Sequence, residues 1–189
     1  GVLIDLAKGM GLLREAFKTR VPSLDGHSAV GHVRYSTFGA SNFANIQPIL
    51  AYHAGGILCM AHNGSLTNAP TIQKRMEKEG CAFQTTTDTE VILNLIVHSE
   101  ACNLEEKILT ALRQIEGAYS LTIMTGDMLI GARDPWGFRP LSLGRTQSGG
   151  YILASETCAL DAANAEFVRD IEPGEMVVIN NHGIHSHTI

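Results

Sequence analysis

Long apolar runs are missing from this 189-residue chain. None approaches the roughly 18 residues that a membrane-spanning helix needs, and no signal peptide opens the chain, so no membrane partner is expected. Positive charge is also in short supply. Fourteen Lys and Arg face 19 Asp and Glu, a net charge of −5, and no basic block exists to neutralise phosphates. That balance argues against a nucleic-acid partner. Cysteine is sparse: Cys59, Cys81, Cys102 and Cys158 stand far apart with no C-x-x-C pair, which argues against a zinc site or a disulfide framework and fits a reducing cytosol. None of the four has a His, Lys or Arg neighbour in the sequence that would mark a reactive thiolate, so no internal nucleophile stands out. Glycine-rich phosphate loops and a Gly-x-Ser-x-Gly elbow are absent too. The chain starts at Gly1-Val2-Leu3-Ile4 rather than at Met, and this predicts a fragment.

What remains is an ordinary globular composition, 44% hydrophobic and 17% charged. A chain of this length can bury about 70% of its unfolded surface, enough for one domain with a real core. Short apolar runs at Gly31 to Tyr35, Ile49 to Tyr52 and Gly56 to Ala61 read as strands between Gly-, Ser-, Asn- and Pro-rich loops. Leu12 to Phe17 reads as a short amphipathic helix. A helix follows Asn68, with Pro70 in its first turn, Ile72 and Met76 on one face and Gly80 as its stop. Another opens at Thr87-Asp88-Thr89-Glu90, a capping-box pattern, and carries Val91, Ile92, Leu95 and Ile96 at helical spacing. A third runs from about Asn103 to Ile115. Strand-like runs complete the chain at Tyr119 to Met124, Met128 to Arg133, Leu141 to Leu143, Tyr151 to Ala154 and Glu175 to Ile179. Strands, then consecutive helices, then strands predict an α+β fold with mainly antiparallel sheets.

Four polar clusters fall at element ends or in loops, where functional residues concentrate. In His32-Val33-Arg34-Tyr35-Ser36-Thr37, Arg34 offers a bidentate fork for a carboxylate, or simply a surface ion pair. Asn63-Gly64 is first a hairpin-turn signal. Its functional alternative is an oxyanion hole, in which an amide side chain and a glycine N–H converge on a developing negative oxygen. In Thr85 to Glu90 the acidic, hydroxyl-rich start suits helix capping, or Asp88 grips a substrate ammonium. Arg133 to Pro140 reads as a rigid turn with Asp134 bonding backbone amides. His182, His185 and His187 match no zinc spacing and show no accompanying carboxylate, so they read as solvated loop histidines and no metal is expected.

Taken together, these segments resemble the glutaminase domain of the amidophosphoribosyltransferases. The matching stretches are Lys8-Gly9-Met10-Gly11-Leu12, Gly31 to Thr37, Gln47-Pro48, Ala61 to Asn68, Thr85 to Leu93, Gly117 to Thr125, Arg133 to Leu141, Leu153 to Asp161 and Glu166 to Ile179. They run in the family's order along nearly the whole of residues 1–189. The resemblance implies an N-terminal-nucleophile hydrolase fold, a four-layer αββα sandwich of two antiparallel sheets. It implies L-glutamine as substrate and an N-terminal cysteine that attacks its side-chain amide, with ammonia channelled to a phosphoribosyltransferase domain. There ammonia displaces pyrophosphate from phosphoribosyl pyrophosphate, in the first step of purine biosynthesis. Carried onto this chain, Arg34 clamps the glutamine carboxylate, Tyr35 and Thr37 line the pocket, Asn63 and Gly64 form the oxyanion hole, and Asp88 accepts the ammonium. Loops around Thr37 and Ser41 would close over glutamine. No cofactor is implied here, whereas Mg is expected for the phosphoribosyltransferase domain, and the family's habit is a cytoplasmic homo-oligomer.

The family's leading cysteine segment has no counterpart before Gly1, and its second domain would follow Ile189, so both ends read as truncated and the chain alone as inactive. Glucosamine-6-phosphate synthase and asparagine synthetase share the Arg, Asn-Gly and Asp pattern. Tyr35 and the Glu166 to Gly174 stretch favour the purine enzyme. A catalytically dead relative used for binding is the remaining alternative.

Overall fold

The computed structural model describes residues 4–18, 24–34 and 42–189. Tyr35, Thr37 and Ser41 lie outside the described residues, as does the end of the strand expected from Gly31 to Tyr35. Among the described residues, 31–34 form no strand. This segment is held instead by a side chain, His32 Nε2 standing 3.2 Å from the His62 carbonyl.

Alternation of apolar residues builds the first sheet. Strands β1 (Ile49–His53), β2 (Gly56–Leu66), β3 (Gly117–Met124), β4 (Met128–Arg133), β8 (Glu175–Asn180) and β9 (Gly183–Thr188) lie side by side in that order, all antiparallel. Strand β2 extends five residues beyond the run expected from sequence, because it continues through His62-Asn63-Gly64-Ser65-Leu66 paired with β3. One face of this sheet, with Leu58, Met60, Leu121, Ile123, Ile130, Met176 and Val178, packs under helices α2 (Ala69–Lys78), α3 (Asp88–Val97) and α4 (Leu104–Leu112).

The helices arise largely as their spacing predicts. Pro70 sits in the first turn of α2, Ile72 and Met76 are buried, and Gly80 takes φ +93° beyond its end. Asn103 caps α4 by accepting the N–H of Glu106. The capping box expected at Thr87 does not form. Thr87 makes no side-chain cap, and Glu90 accepts instead from the N–H groups of Gln84 and Thr85 and from the Thr85 hydroxyl. The preceding loop folds back over the helix, so the carboxylate finds three donors there and leaves the cap.

The other face of the first sheet meets a second, three-stranded sheet in the order β6 (Tyr151–Ala154), β5 (Ser142–Thr146), β7 (Ala165–Asp170). Leu141, Leu143, Ile171 and Val177 form the core between them. Side chains of the second sheet press onto the first here: a Cβ on Gly131 of β4 would lie 2.8 Å from the Leu153 side chain. Helix α5 (Thr157–Ala162) covers the outer face, with Leu160 against Gly144. Layers therefore run helices, sheet, sheet, helix, the αββα order expected. A short helix α1 (Leu13–Ala16) lies within the expected Leu12 to Phe17 stretch. No helix among the described residues is long and apolar enough to cross a membrane.

Candidate functional site

Strand β2 organises the site. Its register puts Asn63 opposite Ser120 and Gly64 opposite Tyr119 in the middle of a ladder, so Asn63-Gly64 is not a hairpin turn. The tight turn falls at Ala54-Gly55, between His53 and Gly56. Gly64 has φ +153°, and a Cβ there would lie 2.0 Å from the Ala118 carbonyl oxygen and 2.8 Å from Tyr119 Cα. Only glycine lets β2 and β3 stay paired at this point.

In an antiparallel strand, the backbone groups of successive residues face alternate neighbours. The N–H of His62 donates to Gln47 Oε1 at 2.6 Å and its carbonyl accepts from Gln47 Nε2 at 3.2 Å. A side-chain amide thus extends the β1 side of the ladder past Ile49, across the cis Gln47–Pro48 bond. Two pairs further on, the N–H of Leu66 donates to Asp88 Oδ2 at 2.9 Å on the same edge. Between these two anchored positions the alternation aims the N–H of Gly64 along that edge, where β1 has ended. Asn63, half-buried, projects from the face opposite the helices, since Leu58, Met60 and Leu66 occupy the helical side.

Asp88 stands in the first turn of α3 and is 7% exposed. Its Oδ1 lies 3.4 Å from His62 Nδ1, and Thr89 Oγ1 lies 3.4 Å from the same nitrogen. Burial pushes the Asp88 carboxyl up, but bonds from His62 and from the Leu66 and Thr89 N–H groups outweigh it and hold the pKa below the usual carboxylate value. Asp88 is therefore a fixed negative charge at neutral pH. It also ties α3 to β2, a structural duty that capping alone does not describe. With Nδ1 serving Asp88, the buried Nε2 of His62 has no protein partner and sits beneath Gly64, 2.8 Å from where a Cβ would be.

Arg34 is half-buried and lies two residues beyond His32, whose bond to the His62 carbonyl runs this segment beside β2. Asn63, Gly64, Asp88 and the Arg34 segment thus gather around one stretch of strand. Tyr35 and Thr37 lie outside the described residues.

Sequence reasoning assigned no role to Gln47 or Asn45. Asn45 is fully buried and exchanges hydrogen bonds with Thr86, accepting its N–H and donating to its hydroxyl. The signal for Gln47 was present in Gln47-Pro48, but its use as a surrogate strand residue has no local sequence signature.

Asp134 bears out the rigid-turn reading. Fully buried, it accepts the N–H groups of Trp136, Phe138 and Arg139 at 3.0–3.1 Å and that of Tyr119 at 3.3 Å. Two other readings need correction. Cys81 Sγ lies 3.5 Å from His98 Nε2, so one cysteine does have a histidine neighbour, brought by α3 across 17 residues of sequence. Cys59 is buried near Lys8, and burial dominates, pushing its thiol up to about 11. His185 and His187 are not loop residues but belong to β9, and both contact Glu105.

These features define a glutamine amidotransferase domain. Residues 32–162 match the family described as "Glutamine amidotransferase domain", and the chain belongs to that family. It is also similar to amidophosphoribosyltransferases: 44% identical over 179 residues to amidophosphoribosyltransferase 1, chloroplastic, of Arabidopsis thaliana, and 47% identical over 179 residues to the amidophosphoribosyltransferase of Staphylococcus aureus (strain MRSA252). Each alignment takes in 94% of this chain but only 32% and 36% of the relative. The chain thus spans about a third of the length of the curated relatives it matches. Among solved structures it superposes with a TM-score of 0.87 on the glutamine phosphoribosylpyrophosphate amidotransferase of B. subtilis complexed with ADP and GMP, at 42% identity over 94% of this chain and 38% of that one.

Proposed function

We propose that this chain is the glutaminase part of an amidophosphoribosyltransferase, releasing ammonia from L-glutamine for transfer to phosphoribosyl pyrophosphate in the first step of purine synthesis. The observation that carries the reading is the N–H of Gly64, aimed along the edge of β2 beyond the end of β1, between Gln47-bound His62 and Asp88-bound Leu66. A donor fixed in a ladder costs nothing to reorganise when an oxyanion forms against it.

In this reading the Asn63 side-chain amide and the Gly64 N–H take the glutamine side-chain oxygen, Asp88 receives the ammonium, and Arg34 takes the carboxylate with Tyr35 and Thr37 beside it. Glutamine separates its reacting carbonyl from its α-carbon by three carbon–carbon bonds. Placing donor and carboxylate two residues apart along β2 suits that length. The attacking group in this reading is a cysteine thiol. Its sulfur bonds to the side-chain carbonyl carbon as the carbonyl electron pair moves onto the oxygen held by Asn63 and Gly64. Collapse re-forms the carbonyl and expels the nitrogen, which leaves as ammonia with the thiol's proton passed through a base. Water then cleaves the thioester to glutamate and restores the thiol. Ammonia passes to the phosphoribosyltransferase part and displaces pyrophosphate, in a cytoplasmic protein that assembles as a homo-oligomer.

The test uses the full-length protein with two nitrogen sources. Arg34→Ala is expected to raise the KM for glutamine while leaving ammonia-dependent turnover intact, because free ammonia needs no carboxylate clamp. Unchanged glutamine kinetics would remove Arg34 from the site.

A further inference from the structure

Far from the strand edge that carries Asn63, three ligand-type side chains converge. In the β8–β9 pairing, Val178 stands opposite His185 and Met176 opposite His187. Directly opposed residues project to one face, and Met176 and Val178 belong to the core beneath the helices. His185 and His187 therefore rise on the helical side of the edge strand, where the first turn of α4 brings Glu105 over them. Their Nε2 atoms lie 3.0 and 2.7 Å from the same Glu105 oxygen, and the three ligand atoms all fall within 4.8 Å of one another. The rings meet edge to face with centroids 5.4 Å apart.

We propose that Glu105, His185 and His187 bind one divalent transition-metal ion, with Zn2+ the best fit. Two imidazole nitrogens and one carboxylate oxygen make a donor set of borderline hardness, suited to Zn2+ rather than to the all-oxygen shells of Mg2+ and Ca2+. Bonds of about 2.0–2.1 Å in a tetrahedron separate ligand atoms by about 3.4 Å, so the two Nε2 to Oε2 separations need open by only about 0.4 and 0.7 Å. All three side chains are partly exposed and free to make that adjustment. The ion would replace the two N–H···O bonds, each Nε2 offering its lone pair and the ring proton moving to Nδ1. Three protein ligands leave a coordination position for water.

The ion would bind the edge strand to the helical layer. β9 lies four strands from β2, about 19 Å at the usual strand spacing. The site is therefore separate from the glutamine pocket, and it stands or falls independently of the proposed glutaminase activity.

The test strips the protein of metal, titrates Zn2+ by calorimetry and follows Co2+ by visible absorption. One equivalent is expected, with a spectrum from nitrogen and oxygen ligands and no sulfur-to-cobalt charge transfer. Removing an outer-shell partner of a metal typically weakens binding about 10–100-fold, so His187→Ala and Glu105→Gln should each weaken it at least about 100-fold. Cys81→Ser, which disables the Cys81–His98 pair, should bind as the parent does. Absence of a saturable equivalent, binding unchanged in both ligand variants, or a thiolate band lost in Cys81→Ser would overturn the proposal.

Discussion

Replacing Gly64 by Ala should damage this domain more than its modest chemistry implies. Two costs add at that position. The backbone holds φ +153°, which an L residue adopts only with about 1–3 kcal/mol of strain. The new methyl would also stand 2.0 Å from the Ala118 oxygen and 2.8 Å from Tyr119 Cα, both on the paired strand. Neither atom can swing aside as a flexible side chain would, so β2 and β3 must part by more than 1 Å locally, at the about 1–3 kcal/mol typical of overpacking. The sum is about 2–6 kcal/mol. For a chain of this size each kcal/mol lowers Tm by about 2–4 °C, so a fall of about 4–24 °C is expected.

Gly56→Ala is the control. Gly56 also has a positive φ, +127°, but a Cβ there meets nothing within 4 Å. Urea denaturation of both variants, with slopes compared to check that the denatured state is unaltered, isolates the steric part. A Gly64→Ala protein no less stable than Gly56→Ala would refute the claim that the strands require glycine at this point.

Two further outcomes concern the frame around the site. Arg169 on β7 makes a two-point contact with Glu175 on β8 at 2.6 and 2.8 Å, linking the two sheets. Burial pushes the Glu175 carboxyl up, but Arg169, Ser186 and the Glu172 N–H outweigh it and bring the pKa down to about 2. A depressed carboxyl stabilises the fold above its ordinary pKa of 4.5 and loses that contribution as pH falls toward 2. Because Arg169 is 38% exposed, water screens the pair and about 1–2 kcal/mol is the expected size. Arg169→Ala should thus lower Tm at pH 7 and converge with the parent near pH 2, and a gap that persists at pH 2 would exclude this pair as its cause. Asp134→Ala strips the acceptor from four backbone N–H groups. It should cost about 3 kcal/mol in urea denaturation, water replacing part of the loss at the exposed turn, and a cost under about 1 kcal/mol would contradict the assigned role.

Where apolar residues repeat with a clear period, the sequence is a sufficient guide. Helix α2 with Ile72 and Met76, and β4 from Met128 to Arg133, emerge at nearly the expected bounds. Elements with exposed, polar residues escape that reasoning. Strands β7 and β9, Ala165–Asp170 and Gly183–Thr188, are mostly exposed, and they form because they pair with β5 and β8. The same limit applies to the candidate site. Asn63, Gly64 and Asp88 were legible as residue types suited to a task. Whether Asn63-Gly64 turned a hairpin or ran through a ladder depended on pairing with Ser120 and Tyr119, more than fifty residues away. The contacts of His185 and His187 with Glu105 cross about eighty positions, beyond the reach of any local motif.

The most direct measurement of the central claim is the ratio of glutamine-dependent to ammonia-dependent turnover in the full-length protein carrying Asn63→Ala. Losing one oxyanion donor typically lowers turnover about 10²–10³-fold. The account predicts a fall of that size with glutamine and no change with ammonia, in a variant whose Tm stays close to the parent's. Equal activity with glutamine, or an equal loss with both nitrogen sources in a folded variant, would contradict it.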